Sequence, residues 1–353
     1  MNSPLLEPYR GPALHLPNRV AMAAMTRSRA DDTTGVPTSI MAEYYAQRAT
    51  AGLIVSEGIW PHFLGKGGPG VPGLTEPAHV EGWRRTTQAV HAAGGRIFAQ
   101  LWHVGRVSHP DILGGEQPVA PSALAISEDQ IFTASGLKDY VVPRELSTAE
   151  VAEAVEFHAV AARNAVDAGF DGVEISAAYG YLIAQFLSDS ANLRTDGYSD
   201  HVRFAVEVVE AVAATIGADR TALRISPGNA LNDIIENDPA ARYHRLLGAL
   251  DEMGLAYLHV VQSGEYAALE DLRPHWNGTL VATYDGPEPG GREQAEEALR
   301  AGLADVYSFG RLFLANPDLP RRVALDAPLN PVRESGMYGG GREGYLDYPY
   351  LVG

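Results

Sequence analysis

The sequence predicts an α/β fold, a single (β/α)8 barrel spanning residues 1–353, and three observations carry that prediction. Eight short apolar runs are spread along the chain, helical patterns lie between most of them, and no break in composition divides the sequence. The runs are Arg19–Ala24, Gly52–Gly58, Arg96–Trp102, Gly172–Ser176, Thr221–Pro227, Tyr257–Ser263, Thr279–Tyr284 and Asp305–Gly310. Each is rich in β-branched or aromatic residues and none alternates strictly, which is the pattern of parallel strands buried on both faces. Eight repeated units favour a closed barrel over an open sheet.

The helices between the runs have readable starts. Over 148–168 the chain is periodic, with Ser147 placed as N-cap and Glu150 three residues on, a capping box. The run Gly172–Ser176 breaks into a polar, aromatic cluster and is followed by a segment read as an amphipathic helix. One connection is anomalous. From Val104 to Glu145 no helix is evident and Pro and Gly recur, so this stretch is read as a lid or substrate-shaping insertion after the third strand. In a barrel it hangs over the C-terminal face, where active sites lie.

Composition excludes several classes of function. The 46% hydrophobic content supports a large core, and no apolar run is long enough to span a bilayer. The net charge of −17, with lysine only at Lys66 and Lys138, argues against nucleic-acid binding. There are no cysteines, which removes disulfides, thiolate metal sites and covalent attachment through sulfur. The opening MNSPLLEPYR lacks a basic stretch followed by an apolar one. A cytoplasmic enzyme acting on a small molecule is expected, with no metal and an unreadable oligomeric state.

Several motif matches carry no chemistry. The Gly68–Gly73 stretch fits the GxGxxG spacing of dinucleotide loops, but Pro69 and Pro72 prevent the helix such a loop must open. The histidines show no metal-ligand spacing.

Functional residues of a barrel gather at the C-terminal strand ends. Here those are Ala24, Met25 and Thr26; Gly58; Gln100 and Trp102; Ser176 through Tyr181; Arg224; Thr283 and Tyr284; Gly310 and Arg311. Arg311 follows the last strand, where barrels often hold phosphate, and Arg224 is a cation within the barrel mouth. Gln100 both donates and accepts, as a uracil-like edge requires. The set suits FMN, although singly an arginine after a strand reads as a surface ion pair and a strand glutamine as a core polar group.

The motifs themselves resemble the Old Yellow Enzyme family from about residue 5 to the end. Asn18–Arg27 is similar to that family's first-strand signature, and Glu43–Arg48 with Gly52–Glu57 to its second unit. Gln100–Arg106 resembles the third-strand motif, and Phe309–Arg311 with Ala315–Asp318 the eighth. Tyr338–Gly341 and Gly344–Pro349 look like its C-terminal tail. The resemblance implies a barrel with non-covalent FMN, reduced by NAD(P)H, that passes hydride to an activated C=C bond. It implies that Thr26, Gln100 and Arg224 contact the flavin ring, with Ala24, Met25, Gly58, Thr283 and Tyr284 around the cofactor and Gly310 and Arg311 at its phosphate. Tyr181 matches the proton-donating tyrosine, and Trp102 and Tyr345 match the substrate side.

The chain departs from the family where substrate is anchored. Ser176 and Tyr179 stand where the family has a His followed by a His or Asn that hydrogen-bond the substrate's oxygen. Three readings follow: a reshaped donor pair for a specialised biosynthetic substrate, a flavin used for desaturation, aromatisation or isomerisation, or a weak reductase. After the seventh strand, Ala282–Asp285 and the insert 286–291 replace a Gly-rich phosphate turn, which places a repelling carboxylate nearby. The segment after Tyr198 is shortened, an expected structural change.

Overall fold

In a computed structural model describing residues 3–127, 129–285 and 291–352, eight parallel strands close into a barrel. They are β1 (Val20–Met22), β2 (Leu53–Ile59), β3 (Ile97–Leu101), β4 (Gly172–Ala177), β5 (Thr221–Ile225), β6 (Tyr257–Ser263), β7 (Leu280–Asp285) and β8 (Val306–Phe309). Each lies within a residue or two of its apolar run. Closure comes from β8 pairing with β1, Tyr307 opposite Val20 and Phe309 opposite Met22. β2, β3 and β4 are buried at every position, as strands with side chains packed on both faces must be.

One end of the barrel is plugged. The antiparallel ribbon Tyr9–Arg10 with His15–Leu16 sets Tyr9, Leu14 and Leu16 against interior residues such as Leu53, Phe98 and Val306. The Tyr9 hydroxyl bonds Thr279 Oγ1 at 2.9 Å. With that end filled, the opening lies at the C-terminal ends of the strands.

The helix Thr148–Asp167 carries the predicted capping box: Glu150 N donates to Ser147 Oγ at 3.2 Å, and Ser147 N to Glu150 Oε2 at 2.9 Å. The helix after β4 corrects an expectation. Leu182–Leu187 is buried at all six positions rather than amphipathic. It is wedged between the 104–106 turn, reached through Gln185 Nε2 donating to Val104 O, and the helix Arg203–Ile216, where Phe186 packs on Phe204 at 4.4 Å.

Among its described residues the 104–145 connection contains no α-helix. Val119–Ala120 pairs with Arg144–Glu145, and Gln130–Thr133 with Gly136–Asp139 forms a hairpin that carries Phe132, 65% exposed. No helix among the described residues is long and apolar enough to cross a membrane.

Candidate active site

A cavity of about 570 Å³ opens at the C-terminal ends of the barrel strands. Of the sequence-predicted residues it gathers Ala24, Met25, Thr26, Gly58, Gln100, Trp102, Ser176, Tyr179, Tyr181, Arg224, Thr283, Tyr284, Gly310 and Arg311. Parallel register explains much of this. Ser176 on β4 lies beside Arg224 on β5, so their side chains leave the barrel on the same face. Gly58 belongs to a register shift in β2, and a Cβ there would stand 2.4 Å from the Trp102 ring. Only glycine lets that indole lie flat against the strand.

Tyr345 is the exception and corrects a sequence expectation. It is fully buried away from the cleft, stacked on Tyr44 at 4.1 Å with the rings 5° apart. The Arg27 and Arg29 guanidinium groups lie over its ring at 5.0 and 4.4 Å. Those two arginines also bond the tail's carbonyls, which pins Tyr345 inward and leaves Tyr338 to reach the cleft. The expected insert after β7 falls mostly at 286–290, outside the described residues; Asp285, before it, lines the cavity.

Below the cavity lies a polar network that sequence reading missed. Glu174 is fully buried and accepts from Gln100 Nε2 at 2.8 Å, Tyr257 OH at 3.0 Å and His259 Nδ1 at 2.8 Å. His259 Nε2 meets Thr283 Oγ1 at 2.7 Å. Burial opposes charge on Glu174, but His259, Arg224 and its donors outweigh it and hold the carboxyl below its ordinary value. Burial likewise pushes His259 down against the pull of Glu174. The geometry favours an anionic Glu174 accepting from His259 Nδ1, while Thr283 Oγ1, beside Nε2, also donates to Ser308 O at 3.3 Å. A lone acid inside the apolar run Gly172–Ser176 was the available signal.

The two departures from the family pattern behave differently. Ser176 Oγ has no hydrogen-bond partner among the described residues and faces the cavity. The Tyr179 hydroxyl is engaged: it accepts from Arg224 Nη2 at 3.4 Å, and Asp285 lines the same cavity. Burial pushes its pKa up to about 12, with Arg224 pulling the other way and Asp285 adding to the rise. Tyr179 also holds φ +56°, a left-handed conformation costly for an aromatic residue. Ser226 Oγ accepting from Tyr179 N, and Asn232 Nδ2 donating to Tyr179 O, hold it there.

Tyr181 meets Trp102 edge-on at 4.9 Å and 88°. Burial raises its phenol above the usual value, reinforced by Tyr179 and Tyr140, so it stays protonated at neutral pH.

The lining suits a flavin nucleotide. Arg224 Nε and Ser308 Oγ are buried at the cavity wall with no partner among the described residues, an arrangement that calls for a polar ligand. Gln100, having given its amide hydrogen to Glu174, offers its carbonyl oxygen to a ring N–H. No group of residues able to hold a metal occurs among those described.

A barrel with such a mouth defines a flavin-nucleotide oxidoreductase site. The model of the NADH:flavin oxidoreductase / NADH oxidase family matches residues 4–330. The chain is 43% identical to 12-oxophytodienoate reductase 7 from Oryza sativa subsp. japonica over 377 residues, covering 99% of this chain and 95% of that protein. The Old Yellow Enzyme homologue of Zymomonas mobilis superposes with a TM-score of 0.94 at 41% identity, covering 98% and 99% of the two chains. Morphinone reductase in complex with tetrahydroNAD gives 0.93 at 41%, covering 99% and 98%. The chain belongs to the NADH:flavin oxidoreductase (Old Yellow Enzyme) family, and it is an FMN-dependent NAD(P)H oxidoreductase binding its flavin non-covalently.

Proposed function

We propose that the protein reduces the activated C=C bond of a specialised small-molecule enone, with Ser176 anchoring the carbonyl and Tyr181 giving the proton. One observation carries this reading: a Ser176 hydroxyl with no partner among the described residues and a protonated Tyr181 phenol face one cavity with Arg224, while the Tyr179 hydroxyl is taken up by Arg224.

FMN, when bound, supplies the hydride taken from NAD(P)H. Around it, Gln100 and Arg224 hold the polar edge of the ring, Thr26 contributes a hydroxyl, and Gly310 and Arg311 receive the phosphate. Ser176 donates toward the substrate oxygen, where negative charge grows as the β-carbon accepts hydride. Tyr181 Oη delivers a proton to the α-carbon, and Trp102 orients its ring. The 104–145 insertion shapes the substrate entrance. A single short hydroxyl in place of paired imidazole-type donors tolerates fewer carbonyl positions, which is the argument for a dedicated substrate.

Anaerobic addition of NADPH while the flavin absorbance is recorded tests the proposal. Bleaching followed by rapid recovery on adding an enone supports it. A flavin that bleaches but is reoxidised by no enone overturns it.

A further inference from the structure

A second cavity, of about 760 Å³, lies beside the first and shares Thr26, Trp102 and Tyr338 with it. Its apolar wall comes from Ala30, Ile40 and Val71, from the 67–70 turn, and from Ile131 and Phe132 of the hairpin in the long insertion, with Ser28, Arg29, Asp32 and Thr38 beside them.

The one arginine in this wall is already satisfied. Arg29 donates to five carbonyl oxygens, those of Arg27, Gly336, Met337, Gly341 and Glu343, which uses every N–H a guanidinium has. Asp32 Oδ1 accepts from Gly70 N at 2.8 Å and faces Lys66 Nζ at 3.6 Å. Thr38 Oγ1 donates to Arg29 O at 2.7 Å. Away from the shared wall, Ser28 Oγ is the one side-chain hydroxyl without a partner among the described residues. A carboxylate end group entering here finds no free cation, whereas a methylene chain finds apolar contact.

We infer that this second chamber holds a neutral hydrocarbon arm of the substrate, so that the protein selects enones bearing an extended alkyl substituent over compact or carboxylate-tipped ones. The inference rests on the enone reading above and names the substrate class within it. The hairpin is then a specificity element as well as a cover, since Ile131 and Phe132 touch the arm rather than the reacting atoms.

Gly68 supplies the handle. It lies in the chamber wall without positive φ, and a Cβ built on it meets only Val71 Cγ2, at 3.9 Å. Gly68→Leu therefore grows into the chamber without backbone strain. Ile131→Ala enlarges the chamber from the hairpin side.

The test is binding of cyclohexenones carrying n-alkyl arms of one to eight carbons to the oxidised holoenzyme, read as perturbation of the flavin spectrum with no reductant present. Affinity is expected to rise about fourfold for each methylene that enters the chamber. A terminal carboxylate on the longest arm should erase most of that gain. Gly68→Leu should flatten the long-chain part of the series and leave the methyl compound unchanged. Ile131→Ala should weaken arms of middle length, and it carries the test should Gly68→Leu lose its flavin. A chain-length series that is flat in the wild type, or untouched by both variants, overturns the inference. Turnover of the methyl compound reports separately on the enone reading: it stands if that compound reoxidises the reduced flavin, whatever the chain-length series shows.

Discussion

Gln100 donates an amide hydrogen to Glu174 Oε1 across 2.8 Å, and this contact decides which edge Gln100 turns to the cleft. A carboxylate only accepts, so the amide nitrogen must point down and the carbonyl oxygen up into the cleft, where under the proposed function it would meet the flavin's ring N–H. Glu174→Gln removes that constraint and the charge that balances Arg224. The expected result is about a tenfold weaker FMN affinity, the equivalent of one hydrogen bond, together with a stability loss of about 3 kcal/mol from the disrupted buried network. Flavin release followed by fluorescence and a denaturant titration of the apoprotein measure the two separately.

The Ser176 and Tyr179 hydroxyls are expected to differ sharply when removed. Ser176→Ala deletes the free donor and should lower kcat/KM for enone reduction by about 10²-fold, the usual effect of losing an oxyanion donor. Tyr179→Phe removes a hydroxyl already engaged by Arg224, so the same parameter should fall less than about fivefold. Steady-state kinetics on one enone decide the matter, and the opposite ranking would make Tyr179 the anchor.

Tyr181→Phe keeps the ring against Trp102 and removes the proton. Reduction of the flavin by NAD(P)H should be unchanged, whereas its reoxidation by an enone should slow by about 10²- to 10⁴-fold. Stopped-flow records of the two half-reactions show whether the loss is confined to the second.

The Glu57 carboxyl is buried, and burial lifts its pKa to about 7, against hydrogen bonds from Arg27 N, Ser28 N and Tyr45. A folded-state pKa above the unfolded value means the native state holds the extra proton. Its contribution to stability is therefore complete below about pH 4.5 and is lost as pH rises through about 7. Subtracting the stability-versus-pH curve of Glu57→Gln from that of the wild type should give a difference that falls by about 1–3 kcal/mol across this window. A flat difference would place the Glu57 titration at its ordinary value.

Tyr345 carries a buried hydroxyl with no partner among the described residues. Tyr345→Phe should therefore leave stability unchanged or raise it by up to about 1 kcal/mol, with substrate KM unaffected. A raised KM would return Tyr345 to the substrate site, from which its stacking on Tyr44 removes it.

The barrel was legible because periodicity and composition are local. Runs such as Gly52–Gly58 and Tyr257–Ser263 are apolar on both faces, and only a covered parallel strand tolerates that. Strand ends follow from the strands, so Gln100, Arg224 and Arg311 could be assigned to the mouth before any contact was known. The tertiary structure decided what one-dimensional spacing cannot carry. Tyr338 and Tyr345 lie seven residues apart in the same tail, yet only the chain's path past Arg27 and Arg29 sends one to the cleft and the other to the core. Ser176 and Tyr179 offer the same hydroxyl chemistry in sequence. Register beside Arg224 and the approach of Asp285 from β7 leave one free and engage the other, because a hydrogen bond depends on three-dimensional distance and direction.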